Sequence, residues 1–412
     1  MKNELLLRTI IIKVLIIVLS ISLMSFLLIK DKPLMSDEGA YYKLIVKVAS
    51  LQFTPILLVE NSSFPGYAIS IGIIDHFIGA SIQTSRLVTT IFSLLSVLIF
   101  YLIAKRIDPK MSEIKTLQYF FFPILFVFFF LLYTDIYSLL YTLITFLLVL
   151  KRRYFWAGFI GFLSLLIRQN NIIWLGFFCV YILLDKYIDV KVRNLTKYFK
   201  DVAIFILSFI SAIVFIVINK GIVIGATNQM LRPLSFHLEN IFFLLFLFFF
   251  LFLPLNIANL SKIIKLLKSN LQTFLLLILL LIDIFMIFFL TFKADSPYNS
   301  LNTCCFLRNI LLNYIIDNPF NKSISFMPIG YSILSLCVTP LKNKKHYLIY
   351  PFTFIFLGLL WLIEQRYYLI PFALFILFRK SQSLLVEYST LAIYIILSWI
   401  VFLVIINGRF FL

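Results

Sequence analysis

Residues 241 to 253 run Ile, Phe and Leu without interruption, and such a run leaves the backbone few options. It lacks the alternation that a membrane β-barrel strand needs between its two faces. In hydrocarbon a helix satisfies its own N–H and C=O groups, so helix is the expected state. Comparable runs recur along the whole 412-residue chain, which is 62% hydrophobic and 13% charged. That make-up belongs to a polytopic membrane protein and not to a soluble domain. At roughly 20 residues per crossing, little length remains for anything else. The expected fold is all-α: one transmembrane helix bundle over residues 1–412.

Apolar runs between charge clusters fall near 9–29, 87–104, 117–133, 136–150, 154–167, 171–184, 202–219, 238–254, 273–292, 323–340, 347–363, 367–378 and 385–406. About 11–13 of these cross, the shortest being suited to re-entrant segments. Residues 30–86 form a long first outer loop. Its stretch Tyr67–Ala80, with Asp75 and His76, reads as an interfacial helix. With the N-terminus inside, 23 of the 36 Lys and Arg residues fall on inner segments. The net charge of +18 therefore marks orientation in the membrane, not nucleic-acid binding. Cys179, Cys304, Cys305 and Cys337 have no metal or disulfide spacing. The first apolar run reaches Ile29 without a small-residue cleavage site and is expected to stay as a helix. No internal repeat is visible, which disfavours inverted-repeat transporters.

That threading gathers the polar islands on the outer face. They are Ser36-Asp37-Glu38, Ser62-Ser63-Phe64-Pro65-Gly66, Arg86, Tyr133-Thr134-Asp135 and Arg168-Gln169-Asn170-Asn171. Further along come Arg232 with His237, Asp295 with Arg308, and Glu364-Gln365-Arg366-Tyr367-Tyr368. Most have an ordinary reading too. Arg168 suits a phospholipid head group, Asp135 a helix N-terminus, and His76 and His237 the interface. Asp283 lies inside an expected span and must face protein or water. Asp37 and Glu38 differ, because two like charges abut at a membrane boundary where neither has a packing use. They point to chemistry.

The run Arg168-Gln169-Asn170-Asn171-Ile172-Ile173-Trp174 resembles a motif of the dolichyl-phosphoglucose-dependent α-1,2-glucosyltransferases. Ser36-Asp37-Glu38 looks like that family's Met-Asp-Glu, and Phe64-Pro65-Gly66-Tyr67 is similar to its Pro-Pro-Gly turn. Tyr133-Thr134-Asp135 matches the same tripeptide. Residues 364–372, Glu-Gln-Arg-Tyr-Tyr-Leu-Ile-Pro-Phe, resemble its Arg-Tyr-Tyr-Ile-Pro-Phe segment. After the acidic pair the chain continues Gly39-Ala40-Tyr41-Tyr42-Lys43, where the family carries an aromatic, a His and a Gln-rich stretch.

The resemblance implies a GT-C glycosyltransferase of the endoplasmic reticulum membrane with its active site in the lumen. Its donor would be glucose on a polyprenyl (dolichyl) phosphate, and its acceptor a lipid-linked oligosaccharide. A lipid phosphate leaves without protonation, so one base and a cationic clamp suffice, unlike the acid and base of glycoside hydrolysis. Asp37 is the expected base, with Glu38 the second candidate. Arg366, Arg168 and Arg308 are expected to bind the donor phosphate. Tyr367, Tyr368 and Trp174 are candidates to stack on sugar rings, and Asn171 and Asp135 are further substrate-binding candidates. No cofactor and no metal are expected: no Asp-x-Asp motif stands in the first outer loop, and no Gly-rich phosphate loop opens a helix. A mannosyl-transferring relative and a lipid or solute transporter are the rival readings. Sequons at Asn61 and Asn321 would face the lumen and the one at Asn194 would not.

Overall fold

A computed structural model describes residues 2–52, 64–187, 192–221, 235–294, 296–300 and 306–412. Asn61, Ser62, Ser63, Arg232, Asp295, Cys304 and Cys305 lie outside the described residues. Within them the chain is helical, with no sheet beyond two isolated bridges. It is a helical membrane protein. Expected as one domain, it packs as two compact units: Met1–Phe120 with Leu125–Pro233, and Phe121–Ile124 with Leu234–Leu412.

The first unit holds α1 (Lys2–Ile29), α2 (Glu38–Ala49), α3 (Gly66–Ile78), α4 (Ile82–Ile107), α5 (Ser112–Phe120), α6 (Thr134–Leu150), α7 (Tyr154–Leu165), α8 (Ile172–Lys186), α9 (Val192–Asp201) and α10 (Ala203–Asn219). α3 is the helix expected near 67–80. It packs against α2, and α4 packs against α6. Ser81 opens α4 with a capping box, its hydroxyl accepting from the Thr84 amide while the Thr84 hydroxyl accepts from the Ser81 amide. Gly72 lets α2 and α3 touch: a methyl there would lie 2.6 Å from Val48 Cβ.

The second unit holds α11 (Leu238–Leu251), α12 (Leu253–Leu267), α13 (Leu271–Thr291), α14 (Pro297–Ser300), α15 (Leu307–Ile316), α16 (Pro319–Val338), α17 (Ile349–Gly358), α18 (Leu369–Phe378) and α19 (Leu384–Ile406). α16 is packed by α11, α12, α13 and α15. Its polar residues are used internally: the Asn259 amide donates to Ser335 Oγ at 3.0 Å and to Thr339 Oγ1 at 2.8 Å. Arg379 and Glu387 form a buried two-pronged ion pair at 2.6 and 2.7 Å that fastens the start of α19.

Three expectations change. Residues 117–133 are not a span: α5 stops at Phe120, and beyond it a buried irregular stretch contains one 3-10 turn, Phe126–Phe129. Pro123 explains the break, since it lacks an N–H and pushes Phe122 out of helical geometry. Irregular backbone is tolerated at such a place because protein encloses it. Lys115, counted among the inner orienting charges, is buried and paired with Asp108 at 3.2 Å. Finally, Asp283 is exposed, on a helix α13 of which little is buried. Among the described residues α4, α13 and α19 can each cross a membrane by length and composition, and up to five spans result if the bent pairs α9–α10 and α11–α12 are each one. The apolar part Val14–Ile29 of α1 and the helices α3, α6, α7 and α15 are shorter apolar stretches.

Candidate active site

The acidic doublet splits into two environments. Glu38 is wholly enclosed, and both carboxylate oxygens are occupied. Oε1 accepts from Arg86 Nε at 3.1 Å and the Leu132 amide at 2.9 Å. Oε2 accepts from Arg86 Nη2 at 2.6 Å and the Met35 amide at 2.9 Å. The rest of the Arg86 fork goes to the Ile29, Lys32 and Pro33 carbonyls, at 2.8, 2.7 and 3.1 Å. All five guanidinium donors are thus spent on a carboxylate and the chain leading to it. Two buried charges survive together because each satisfies the other and the backbone satisfies the remainder.

Asp37 is exposed, at the first turn of α2. Its amide donates to the Tyr133 hydroxyl at 3.1 Å, and that hydroxyl donates to the Met35 carbonyl at 3.3 Å. Ser36 sits in the left-handed region at φ 51°, a costly conformation for a residue with a Cβ. The buried ion pair and Tyr133 hold this loop, and Asp37 rides on it.

Other motif segments of the first unit meet there. Tyr133 precedes Thr134 and Asp135, the first turn of α6. Arg168 Nε donates to Thr134 Oγ1 at 3.0 Å, and Arg168 Nη2 to Asp135 Oδ2 at 2.9 Å. The Phe64-Pro65-Gly66 turn docks on the last turn of α7, just before the same arginine, the Gly66 amide donating to the Leu166 carbonyl at 3.0 Å. A Cβ at Gly66 would run into that carbonyl, so only glycine allows the approach. Tyr41 joins the set edge-on to both Tyr67 and Tyr133.

The second unit carries its own cluster. Glu364 Oε1 receives Arg308 Nη1 at 2.7 Å and lies 2.6 Å from Arg366 Nε. Arg308 Nη1 also reaches the Leu412 carbonyl at 3.3 Å, and its guanidinium stacks over Phe306 at 4.3 Å. Two guanidiniums lie against one largely buried carboxylate, planar donors of the kind that bind an oxyanion. Tyr367 is half-buried beside Arg366.

Three expected substrate contacts have interior roles instead. Trp174 is fully enclosed, edge-on to Phe177 at 6.0 Å. Tyr368 is likewise closed in, its hydroxyl 3.3 Å from Asn240 Oδ1. Neither ring has a face open for a sugar. Asn171 accepts from Ser138 at 2.8 Å and donates to the Ser164 carbonyl at 3.0 Å, tying α6 to the end of α7. Among the described residues no three His, Cys, Asp or Glu side chains are grouped to hold a metal ion. Sequence reasoning gave no role to Arg86, Tyr133 or Glu364. Each acts through a partner far along the chain, and only their place inside polar islands marked them.

Residues 62–194 match the DIE2/ALG10 family, and so bear out the resemblance read from the motifs. Over 164 residues the chain is 30% identical to an Arabidopsis thaliana protein named Dol-P-Glc:Glc(2)Man(9)GlcNAc(2)-PP-Dol alpha-1,2-glucosyltransferase, covering 39% of this chain and 30% of that one. A Rattus norvegicus protein of the same name is 23% identical over 235 residues, covering 44% and 49%. A Homo sapiens one is 31% identical over 134 residues, covering 28% of each. The aligned stretches thus span at most about half the length of these relatives. No solved structure matches the chain.

Proposed function

We propose that this chain is an inverting glucosyltransferase of the GT-C kind, moving glucose from dolichyl phosphate glucose to the terminal glucose of a dolichyl-diphosphate-linked oligosaccharide through an α-1,2 linkage. The observation that carries the reading is the exposed Asp37 carboxylate, held on a loop whose neighbouring Glu38 and Arg86 are fully committed to one another. The segment that matches the DIE2/ALG10 family, residues 62–194, supplies Asp135 and Arg168.

In the proposed reaction the acceptor hydroxyl oxygen attacks the anomeric carbon as its proton passes to Asp37. The bond from that carbon to the phosphate oxygen breaks, and the lipid phosphate leaves with the electron pair. Asp37 is preferred over Glu38 because a base must be reachable by the substrate: Asp37 is exposed, whereas Glu38 is buried with both oxygens taken. Arg168, on the same unit as Asp37, is assigned to phosphate by its chemistry: a planar donor matched to an oxyanion, stabilising charge as it develops on the leaving group. Arg308 and Arg366 are, by the same chemistry, the phosphate-binding candidates of the second unit. Asp135 orients Arg168, and Tyr367 is the remaining candidate for a sugar face. We assign the enzyme to the endoplasmic reticulum membrane with this chemistry in the lumen, working without a metal.

The test is transfer by purified protein in nanodiscs, with dolichyl phosphate glucose and a lipid-linked acceptor. Asp37→Asn is expected to lower turnover by roughly 10²- to 10⁴-fold with an unchanged melting temperature. Wild-type turnover in that variant removes the base, and transfer from dolichyl phosphate mannose in place of the glucose donor overturns the assigned sugar.

A further inference from the structure

The outward face of α13 carries a pattern that lipid does not explain. The helix is 21 residues long and almost wholly apolar, and little of it is buried. Leu276, Leu279, Met286 and Leu290 are each about half exposed or more, at 60%, 57%, 48% and 65%. Asp283 lies exposed among them. The spacing 276, 279, 283, 286, 290 alternates steps of three and four, which is the seam of a coiled coil with Asp283 at its central core position. From the nearer helix end it is eight residues away, about 12 Å along the axis. An aspartate is too short to reach the head groups from there, and carboxylates within a membrane face protein or water.

We propose that this seam is the docking surface for a second transmembrane helix, from a different protein, that presents a basic side chain at mid-membrane. Charge complementarity selects that occupant. A second copy of this chain would bring one Asp283 against another, and like charges on a shared seam repel. A purely apolar helix would bury the carboxylate without a partner, the most costly outcome in hydrocarbon. A lysine or arginine opposite Asp283 satisfies the charge, and the Leu and Met knobs supply packing. A single polar residue at a core position also fixes which partner is accepted and in what register.

The full-length protein, labelled for energy transfer, is reconstituted with a designed single-span Leu-rich peptide carrying one central Lys, or with its all-Leu counterpart. The Lys peptide is expected to associate roughly five- to thirty-fold more tightly. Asp283→Leu should erase that preference, and Asp283→Lys should transfer it to a peptide with a central Asp. Equal association of the Lys and all-Leu peptides, or none of either, overturns the proposal. Self-association of the wild-type chain that Asp283→Leu abolishes overturns it in favour of a second copy.

Discussion

Two adjacent carboxylates, identical in chemistry, are separated by a single turn of backbone into opposite fates. Glu38 is the structural member. Replacing it by Gln leaves Arg86 as an uncompensated buried cation, which costs about 3–5 kcal/mol. Glu38→Gln should therefore lower the melting temperature in detergent together with activity, whereas Asp37→Asn lowers activity alone. Equal stability of the two variants would refute that division. No reading of residues 36–38 alone distinguishes them, because the deciding partner stands 48 positions later. Asp75, on α3 outside the membrane-spanning helices, gives a pH-dependent counterpart. Burial raises its carboxyl above the ordinary range, and the Ser85 hydroxyl, its hydrogen-bond partner, offsets this in part. The folded protein then holds that proton more tightly than the unfolded chain, so its contribution falls as pH rises from the ordinary carboxylate value through the raised one. Asp75→Asn is expected to melt above wild type at pH 7.5. The difference should vanish below about pH 4, where the unfolded carboxyl is also neutral; a pH-independent difference would contradict the assignment.

At the scale of elements, the helices that carry Asp37 and its supports are set by close approach. α2 and α3 come together over Gly72, where Val48 Cβ, Val48 Cγ1 and the Ile45 carbonyl would meet any side chain at 2.6, 2.7 and 2.9 Å. Gly72→Val must push α2 away at a cost of about 1–3 kcal/mol. Turnover should fall although every polar residue of the site is intact, and an unperturbed variant would show that α2 has slack. The long apolar helices α4, α13 and α19 were legible in the sequence, because hydropathy alone identifies a span. α2 and α12 were not, since each mixes buried apolar positions with lysines and reads as loop. The stretch after Phe120 was misread for the opposite reason. Its uniform hydrophobicity hides the one residue, Pro123, that ends the helix. Motif order was a better guide to the site than hydropathy. Segments 36–38, 64–67, 133–135 and 168–171 are joined within the first unit by hydrogen bonds and ring contacts that no periodicity encodes.

For the whole molecule, the decisive property is which side of the membrane each end of a span occupies, since the proposed lipid-bound sugar donor would be presented on one face only. α13 offers a direct measurement. Its 21 residues extend about 31 Å, matching a hydrocarbon core of about 30 Å, and exposed lysines flank it at Lys268 and Lys293. The clustering of Lys262, Lys265 and Lys268 at its start assigns that end to the cytosol by the positive-inside bias. In sealed microsomes, with the native cysteines replaced, Lys268→Cys should react with an impermeant thiol reagent. Lys293→Cys should react only after permeabilisation. That orientation puts the Arg308 end of the second unit's sequence on the lumenal side, as the proposed transfer from a lumenal donor requires. If Lys293→Cys labels in intact vesicles and Lys268→Cys does not, the orientation is reversed. A phosphate-binding role for Arg308 then fails on geometry alone, before any kinetic measurement is made.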